Sequence, residues 1–242
     1  MLWTGQSCSI KEDRDVCPCF LTVVRPDSEA GMRGEVYWYL AAGDFRLEGK
    51  IEDGEKQSCD IEVPRTEIRL IAVSGISGGL SYNGVFRIEE GDSCPPVYCY
   101  ENRLDTRCNS LRDTIRLHKN YCRVSIRGDL PESFTYMLAG RSCGLDQDGN
   151  ILQGGFLSDF CPEEGGLYCN VPRQADPYLR LDVYREGELL RSFPIGDMIA
   201  ESGYDWAAED LEDVQIWLDY QATGVNIAME GWTHRITFYY EF

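Results

Sequence analysis

Residues 35–51 read EVYWYLAAGDFRLEGKI, and the fold turns on them. Glu35–Ala41 and Asp44–Ile51 are short runs rich in β-branched and aromatic residues with Gly43 between them, which predicts two strands and a turn. The same grammar repeats outward. Cys17–Arg25 (CPCFLTVVR), Cys59–Val63 and Glu67–Val73 (EIRLIAV) are strand candidates, separated by Gly, Pro, Asp and Asn. Further along come Val97–Glu101, Thr114–His118, Tyr121–Arg127, Phe134–Cys143, Ile151–Leu157, Leu167–Val171, Tyr178–Arg185 and Glu188–Phe193. Val214–Tyr220, Gly224–Met229 and His234–Phe242 close the series. One helix is predicted, over Ile195–Gly203, with Gly203 as its C-cap. Short strands at regular spacing, with turn chemistry between them, point to β-sandwiches instead of βαβ units. The expected class is all-β with one short helix.

A chain of 242 residues exceeds the roughly 100–150 of a usual domain, so two sandwiches are expected. The expected division is a polar start over 1–16, a first domain over 17–118 and a second over 119–242. The boundary between Cys108 and Cys122 also leaves six cysteines before it and four after, once Cys8 is set aside. Each domain can then pair its cysteines internally. Basic residues number 23 against 41 acidic ones, for a net charge of −18. Such a surface repels phosphate backbones and anionic headgroups, so nucleic acid is not an expected partner.

Eleven cysteines are too many for a reducing cytosol unless they bind metal. Zinc sites want repeated C-x2-C pairs, usually with histidine. Here the close pairs are C-x-C at 17/19, C-x4-C at 94/99 and C-x7-C at 161/169, and the histidines are His118 and His234 alone. Disulfides and export to an oxidising compartment are therefore expected. The odd count singles out Cys8, which precedes the polar stretch Ser9-Ile10-Lys11-Glu12-Asp13-Arg14-Asp15, the form of a lipid-bearing cysteine followed by a tether. Lipidation at Cys8 leaves ten disulfide candidates: Cys17, Cys19, Cys59, Cys94, Cys99, Cys108, Cys122, Cys143, Cys161 and Cys169. Sequence alone does not determine their connectivity. No stretch approaches the ~20 apolar residues of a membrane helix.

Several short motifs have plain readings. Gly75-Ile76-Ser77-Gly78-Gly79 fits G-x-S-x-G, but a nucleophile elbow needs a helix directly after it, and Gly79-Leu80-Ser81-Tyr82-Asn83-Gly84 is loop chemistry. Asp146-Gln147-Asp148-Gly149-Asn150 is like a calcium loop, yet Ile151 stands where an EF-hand requires glycine, so an Asp-Gly turn is expected. Arg127-Gly128-Asp129 spells an integrin tripeptide beside an ordinary bend at Pro131, and Glu209–Asp213 (EDLED) reads as a solvated connection. No catalytic constellation and no metal site are expected.

Cys8 to Val23, CSIKEDRDVCPCFLTV, resembles the mature start of the Bacteroidetes fimbrial anchor subunits, the fimbrillin-associated anchor lipoproteins. In these a lipidated cysteine, a charged tether and a CP-x-hydrophobic first strand follow one another. Ser202-Gly203-Tyr204-Asp205-Trp206, then Leu211–Tyr220 (LEDVQIWLDY), then Gly231-Trp232 resembles the closing strands of the same family. The resemblance implies two tandem transthyretin-like Greek-key sandwiches, no cofactor and a lipid anchor at the cell surface. It also implies a structural role at the base of a fimbria, attaching stalk subunits to the outer membrane. β-strand addition is the expected mode of attachment, either through the closing strand, where Ile236, Phe238, Tyr240 and Phe242 alternate with Arg235, Thr237, Tyr239 and Glu241, or, if that strand completes the second domain's own sheet, with the edge near Cys17–Arg25 as acceptor. The alternative is a surface lipoprotein that binds a glycan or host protein on a sandwich face. Trp38, Trp206, Trp217 and Trp232 could form a stacking platform for it, although tryptophans buried in the two cores are the expectation.

Overall fold

The computed structural model describes residues 17–26, 34–52, 57–76, 84–128, 130–146, 148–219, 224–229 and 236–239, with backbone only from 219 onward. In chain order the strands begin with β1 (Cys19–Val24), β2 (Val36–Ala42), β3 (Phe45–Ile51), β4 (Ser58–Val63) and β5 (Glu67–Ser74). Next come β6 (Phe86–Arg87), β7 (Tyr98–Asp105), β8 (Ser110–Thr114), β9 (His118–Lys119) and β10 (Tyr121–Gly128). Then follow β11 (Phe134–Leu145), β12 (Ile151–Asp159), β13 (Cys161–Glu163), β14 (Gly166–Pro172), β15 (Leu179–Arg185) and β16 (Glu188–Phe193). Helix α1 (Ile195–Glu201) precedes β17 (Val214–Asp219), β18 (Gly224–Met229) and β19 (Ile236–Tyr239). The fold is all-β with one helix, as expected.

The strands form four sheets around two main cores. A three-stranded sheet, β4-β1-β8, faces a five-stranded one, β3-β2-β5-β7-β9. A six-stranded sheet, β13-β14-β10-β17-β18-β19, faces a second of order β12-β11-β15-β16, to which β6 adds beside β11. Side chains of a strand alternate between its two faces. So Cys19, Leu21 and Val23 of β1 are buried while Phe20 is exposed. The first core holds these residues with Leu40, Ile68, Leu70 and Ile115; the second holds Val124, Ile126, Leu138, Leu181, Phe156 and Met198. Gly203 ends the helix at φ +85°, and its N–H bonds the Ala200 carbonyl at 3.0 Å, the role expected of a C-terminal glycine.

Two readings of the sequence change. The segment Thr114–His118 is not one strand. Thr114 ends β8 in one sheet and His118 opens β9 in the facing sheet. Between them the chain crosses the sandwich, burying Ile115 completely and bonding its N–H to the Val24 carbonyl at 2.8 Å. The second change is at β1, which is no edge: β4 flanks it antiparallel and β8 parallel, so its backbone groups are already paired on both sides. An acceptor edge near Cys17–Arg25 is thereby excluded. A further tie runs over residues 86–94: β6 pairs with β11, and Ile88 and Cys94 sit in the second core.

Candidate functional site: the start of the first strand and the inter-sandwich clamp

Cys8 and its polar stretch lie outside the described residues. The chain enters the described fold at Cys17, which is exposed, and is held there at once. Arg65, in the turn between β4 and β5, donates its Nε–H to the Cys17 carbonyl at 2.8 Å and an Nη2–H to Asn109 Oδ1 at 2.5 Å. Three residues on, Phe20 N–H bonds the Asn109 carbonyl at 3.0 Å, the entry to the parallel β1–β8 pairing. Cys19, fully buried, brings its Sγ to 3.9 Å from Cys108 Sγ. Burial, then the contact with Cys108, pushes the Cys19 thiol up from its ordinary value. One arginine and one sulfur contact thus fasten residues 17–19 to the mouth of β8.

The remaining cysteines scatter. Cys59 lies on β4 opposite Val23, and Cys161 on β13 opposite Tyr168. Cys94, Cys122 and Cys169 share the second core. Cys122 and Cys169 have thiols pushed up to about 12, chiefly by burial. Cys143 is buried on β11, its Sγ 3.7 Å from the Leu152 carbonyl. Cys99 receives the Asn120 Nδ2–H at 3.3 Å, and burial holds its thiol at about 12.

The two sandwiches meet with a single residue, Asn120, between β9 and β10. Asn120 is buried; its N–H bonds the Val97 carbonyl at 2.9 Å, and its Oδ1 accepts from Arg173 Nε. The same guanidinium reaches the carbonyls of Trp206 and Ala208 at 2.5 and 2.7 Å, and that of Glu209 at 3.2 Å. The acidic run that read as a solvated connection continues this clamp. Asp210 Oδ1 accepts the Lys119 N–H at 2.6 Å, and its Oδ2 lies 3.2 Å from His118 Nδ1. Glu209 Oε1 is 3.1 Å from His118 Nε2. Asp213 Oδ1 accepts from Lys119 Nζ at 2.5 Å and from the Arg123 N–H at 2.8 Å. Burial would raise the Asp210 carboxyl, but the Lys119 N–H and His118 outweigh it and hold the group below its ordinary value. The Asp146 turn adds a further tie. Asp146 Oδ1 accepts the N–H groups of Asp148 and Asn150 at 2.8 and 2.9 Å, and Asp148 pairs with Arg69 of β5 at 3.0 Å.

Beside the clamp opens a cleft of about 650 Å³ lined by Tyr100, Asn102, Asp113, Arg116, His118 and Arg173, among others. Tyr100 donates its hydroxyl to Asp113 at 3.0 Å, and Asn102 Nδ2 donates to both, at 3.0 and 3.1 Å. Burial first, and Asp113 second, raise the Tyr100 phenol to about 12. These groups are suited to hydrogen-bond recognition. Ser77 of the G-x-S-x-G motif lies outside the described residues. Arg127 of the Arg-Gly-Asp triplet donates to the Glu164 carbonyl at 2.6 Å, Gly128 at φ +123° ends β10, and Asp129 lies outside the described residues. Trp38 is buried in the first core and Trp206 is packed against the second beside Tyr204; Trp217 is half-buried and Trp232 lies outside the described residues. Among the described residues no three His, Cys, Asp or Glu side chains gather as a metal site, and no helix is long and apolar enough to cross a membrane.

No protein-family model and no curated protein matches the sequence. Solved structures do match it in fold. The fimbrial anchor protein Mfa2 from Porphyromonas gingivalis superposes with a TM-score of 0.64 at 13% identity, over 89% of this chain and 98% of its own. A Bacteroides thetaiotaomicron protein to which polysaccharide binding has been ascribed gives 0.65 at 15%, over 90% and 98%. A Bacteroides ovatus protein ascribed to adhesion gives 0.59 at 11%, over 91% and 95%. Along almost their whole length, this chain shares the fold of a fimbrial anchor protein and of these two Bacteroides proteins.

Proposed function

We propose that this chain is a structural subunit at the base of a cell-surface fimbria, held to the outer membrane by acyl chains on Cys8 and joined to fimbrillin-like stalk subunits by β-strand addition. The observation that carries this reading is the likeness to Mfa2, in which 89% of this chain follows 98% of that one. The physical layout supports it. A base subunit transmits drag from a polymer to a membrane, and the chain is fastened both where the tether enters and where the sandwiches meet. The division into domains over 17–118 and 119–242 belongs to the same reading, with residues 86–97 packed across the divide as a further tie. With β1 enclosed, the edges open to a partner strand among the described residues include β3, β12 and β16. Their unpaired N–H and C=O groups can template another strand.

The test has two arms. Expressed with a full signal peptide, the wild type partitions into the detergent phase and Cys8→Ser does not, because several acyl chains at about 0.8 kcal/mol per buried methylene make anchoring practically irreversible. Deleting the gene leaves fibres that assemble but are shed into the medium. Fibres that stay attached at normal number and length in the deletion strain would sink the anchor role. The cleft favours a second reading, a glycan-binding surface protein, through its Tyr100–Asn102–Asp113 hydrogen-bonding groups. That reading takes over if fibres stay attached and Asn102→Ala abolishes binding of a surface polysaccharide.

A further inference from the structure

We infer that Cys19 and Cys108 form a disulfide that locks the first strand to the mouth of its parallel partner, directly beside the tether root. The sequence left ten cysteines and no connectivity; the fold places these two sulfurs 3.9 Å apart across 89 residues of chain. A disulfide needs about 2 Å between its sulfurs, so the contact has only about 2 Å left to close. The Phe20 N–H bond to the Asn109 carbonyl, one residue past each sulfur, and the Phe20–Ser110 register that follows it fix β1 against β8, and Arg65 straps Cys17 to Asn109 on the outer side. Cys108 Sγ now rests 3.2 Å from the Ser110 carbonyl, a weak hydrogen bond that a turn about its Cα–Cβ bond exchanges for the covalent one.

The two thiols differ in access, which orders the chemistry. Cys108 is exposed and Cys19 is buried. The Cys108 thiolate attacks one sulfur of an external disulfide, either a disulfide-carrying oxidoreductase or a small-molecule disulfide, and one oxidant thiol leaves. The Cys19 sulfur then displaces the second oxidant thiol from the mixed disulfide. Two protein thiols and one oxidant disulfide become one protein disulfide and two oxidant thiols, so protons and electrons balance. Resting on the proposed anchor role, the bridge stands in the load path. Force entering from Cys8 reaches the fold at Cys17, and a bond at Cys19 passes it to the start of β8 before the β1 ladder is sheared.

The experiment maps the bond in the full chain, exported with its signal peptide into an oxidising compartment and alkylated before lysis. Non-reducing proteolysis followed by mass spectrometry is expected to give one linked species joining the Cys19 and Cys108 peptides, two hydrogens lighter than their sum. Recovery of both residues alkylated, or of either one linked to Cys17 or another cysteine, overturns the pairing. A second measurement guards against misfolded variants. Reductant should lower the melting temperature of the wild type by on the order of 10 °C more than that of Cys108→Ser, which removes only an exposed thiol. Equal shifts overturn the locking role. The outcome is separable from the anchor reading: a mapped Cys19–Cys108 link in a protein whose Cys8→Ser form still partitions with detergent keeps the bridge and removes the lipid anchor.

Discussion

The two sandwiches have one topology and secure it by different chemistry. The order β3-β2-β5-β7 in the first matches β12-β11-β15-β16 in the second, and β4-β1-β8 matches β14-β10-β17. In each, the opening strand is central, antiparallel to one neighbour and parallel to a late strand. Even a core pair is shared: Leu40 faces Leu70 across β2 and β5, and Leu138 faces Leu181 across β11 and β15. The first inward residue of the opening strand is a buried cysteine in both, Cys19 and Cys122. At the mouth of the parallel strand they diverge. Cys19 meets Cys108, whereas at the corresponding mouth of β17 the fastener is Asp213, which takes the Arg123 N–H and the Lys119 ammonium. The difference follows position. The first mouth lies beside Cys17, where the described chain begins; the second lies beside the one-residue connection, where a carboxylate ties the two sandwiches together.

The hardest test of that likeness is a matched pair of core truncations. Leu40→Ala and Leu138→Ala remove the same side chain from fully buried and topologically equivalent sites, and each should cost about 2–5 kcal/mol. Calorimetry of both variants checks this, and the two losses should agree within about 1 kcal/mol if the cores are packed alike. A loss confined to one variant would mean that the shared strand order does not extend to packing. A smaller effect is expected at the connection. Arg173→Ala leaves the carbonyls of Trp206 and Ala208 and the Asn120 amide oxygen without their donor, at a cost of about 2 kcal/mol. Limited proteolysis should then cut first between residues 205 and 213, while the core of each sandwich stays protected. An unchanged cleavage pattern would show that the clamp is held elsewhere.

The smallest effect is one of pH. The Asp210 carboxyl is held below its ordinary value of 3.8, so its contribution is complete above that pH and fades as the pH falls through its lower folded value. Because the side chain is 63% exposed, solvent screening limits the contribution to a few tenths of a kcal/mol. Urea midpoints measured from pH 6 down to 2 should show a slightly shallower acid loss for Asp210→Asn than for the wild type. Equal slopes would show that Asp210 does not carry the acid sensitivity of the clamp.

Much of the fold is legible in the chain because alternation has a local cause. In β1, β2, β10 and β11 the buried residues stand largely at every second position, and a pleated backbone forces that pattern. The glycine that ends α1 and the Asp-Gly turn after β11 are likewise written in residues next to one another. Thr114–His118 misled because its apolar residues serve a crossing between sheets, which looks like a strand when only neighbours are read. The acidic run 209–213 read as solvated for a similar reason, since its partners Lys119, Arg123 and Arg173 lie some forty to ninety residues away. The sequence by itself determined the all-β class, most strand positions and an excess of thiols needing an explanation, all consequences of local pattern and composition. Only the tertiary structure decided that β1 is central, that Cys94 joins the second core and that Cys19 meets Cys108. Parallel pairing and crossover between sheets join residues far apart in the chain, and no local periodicity records which of them will touch.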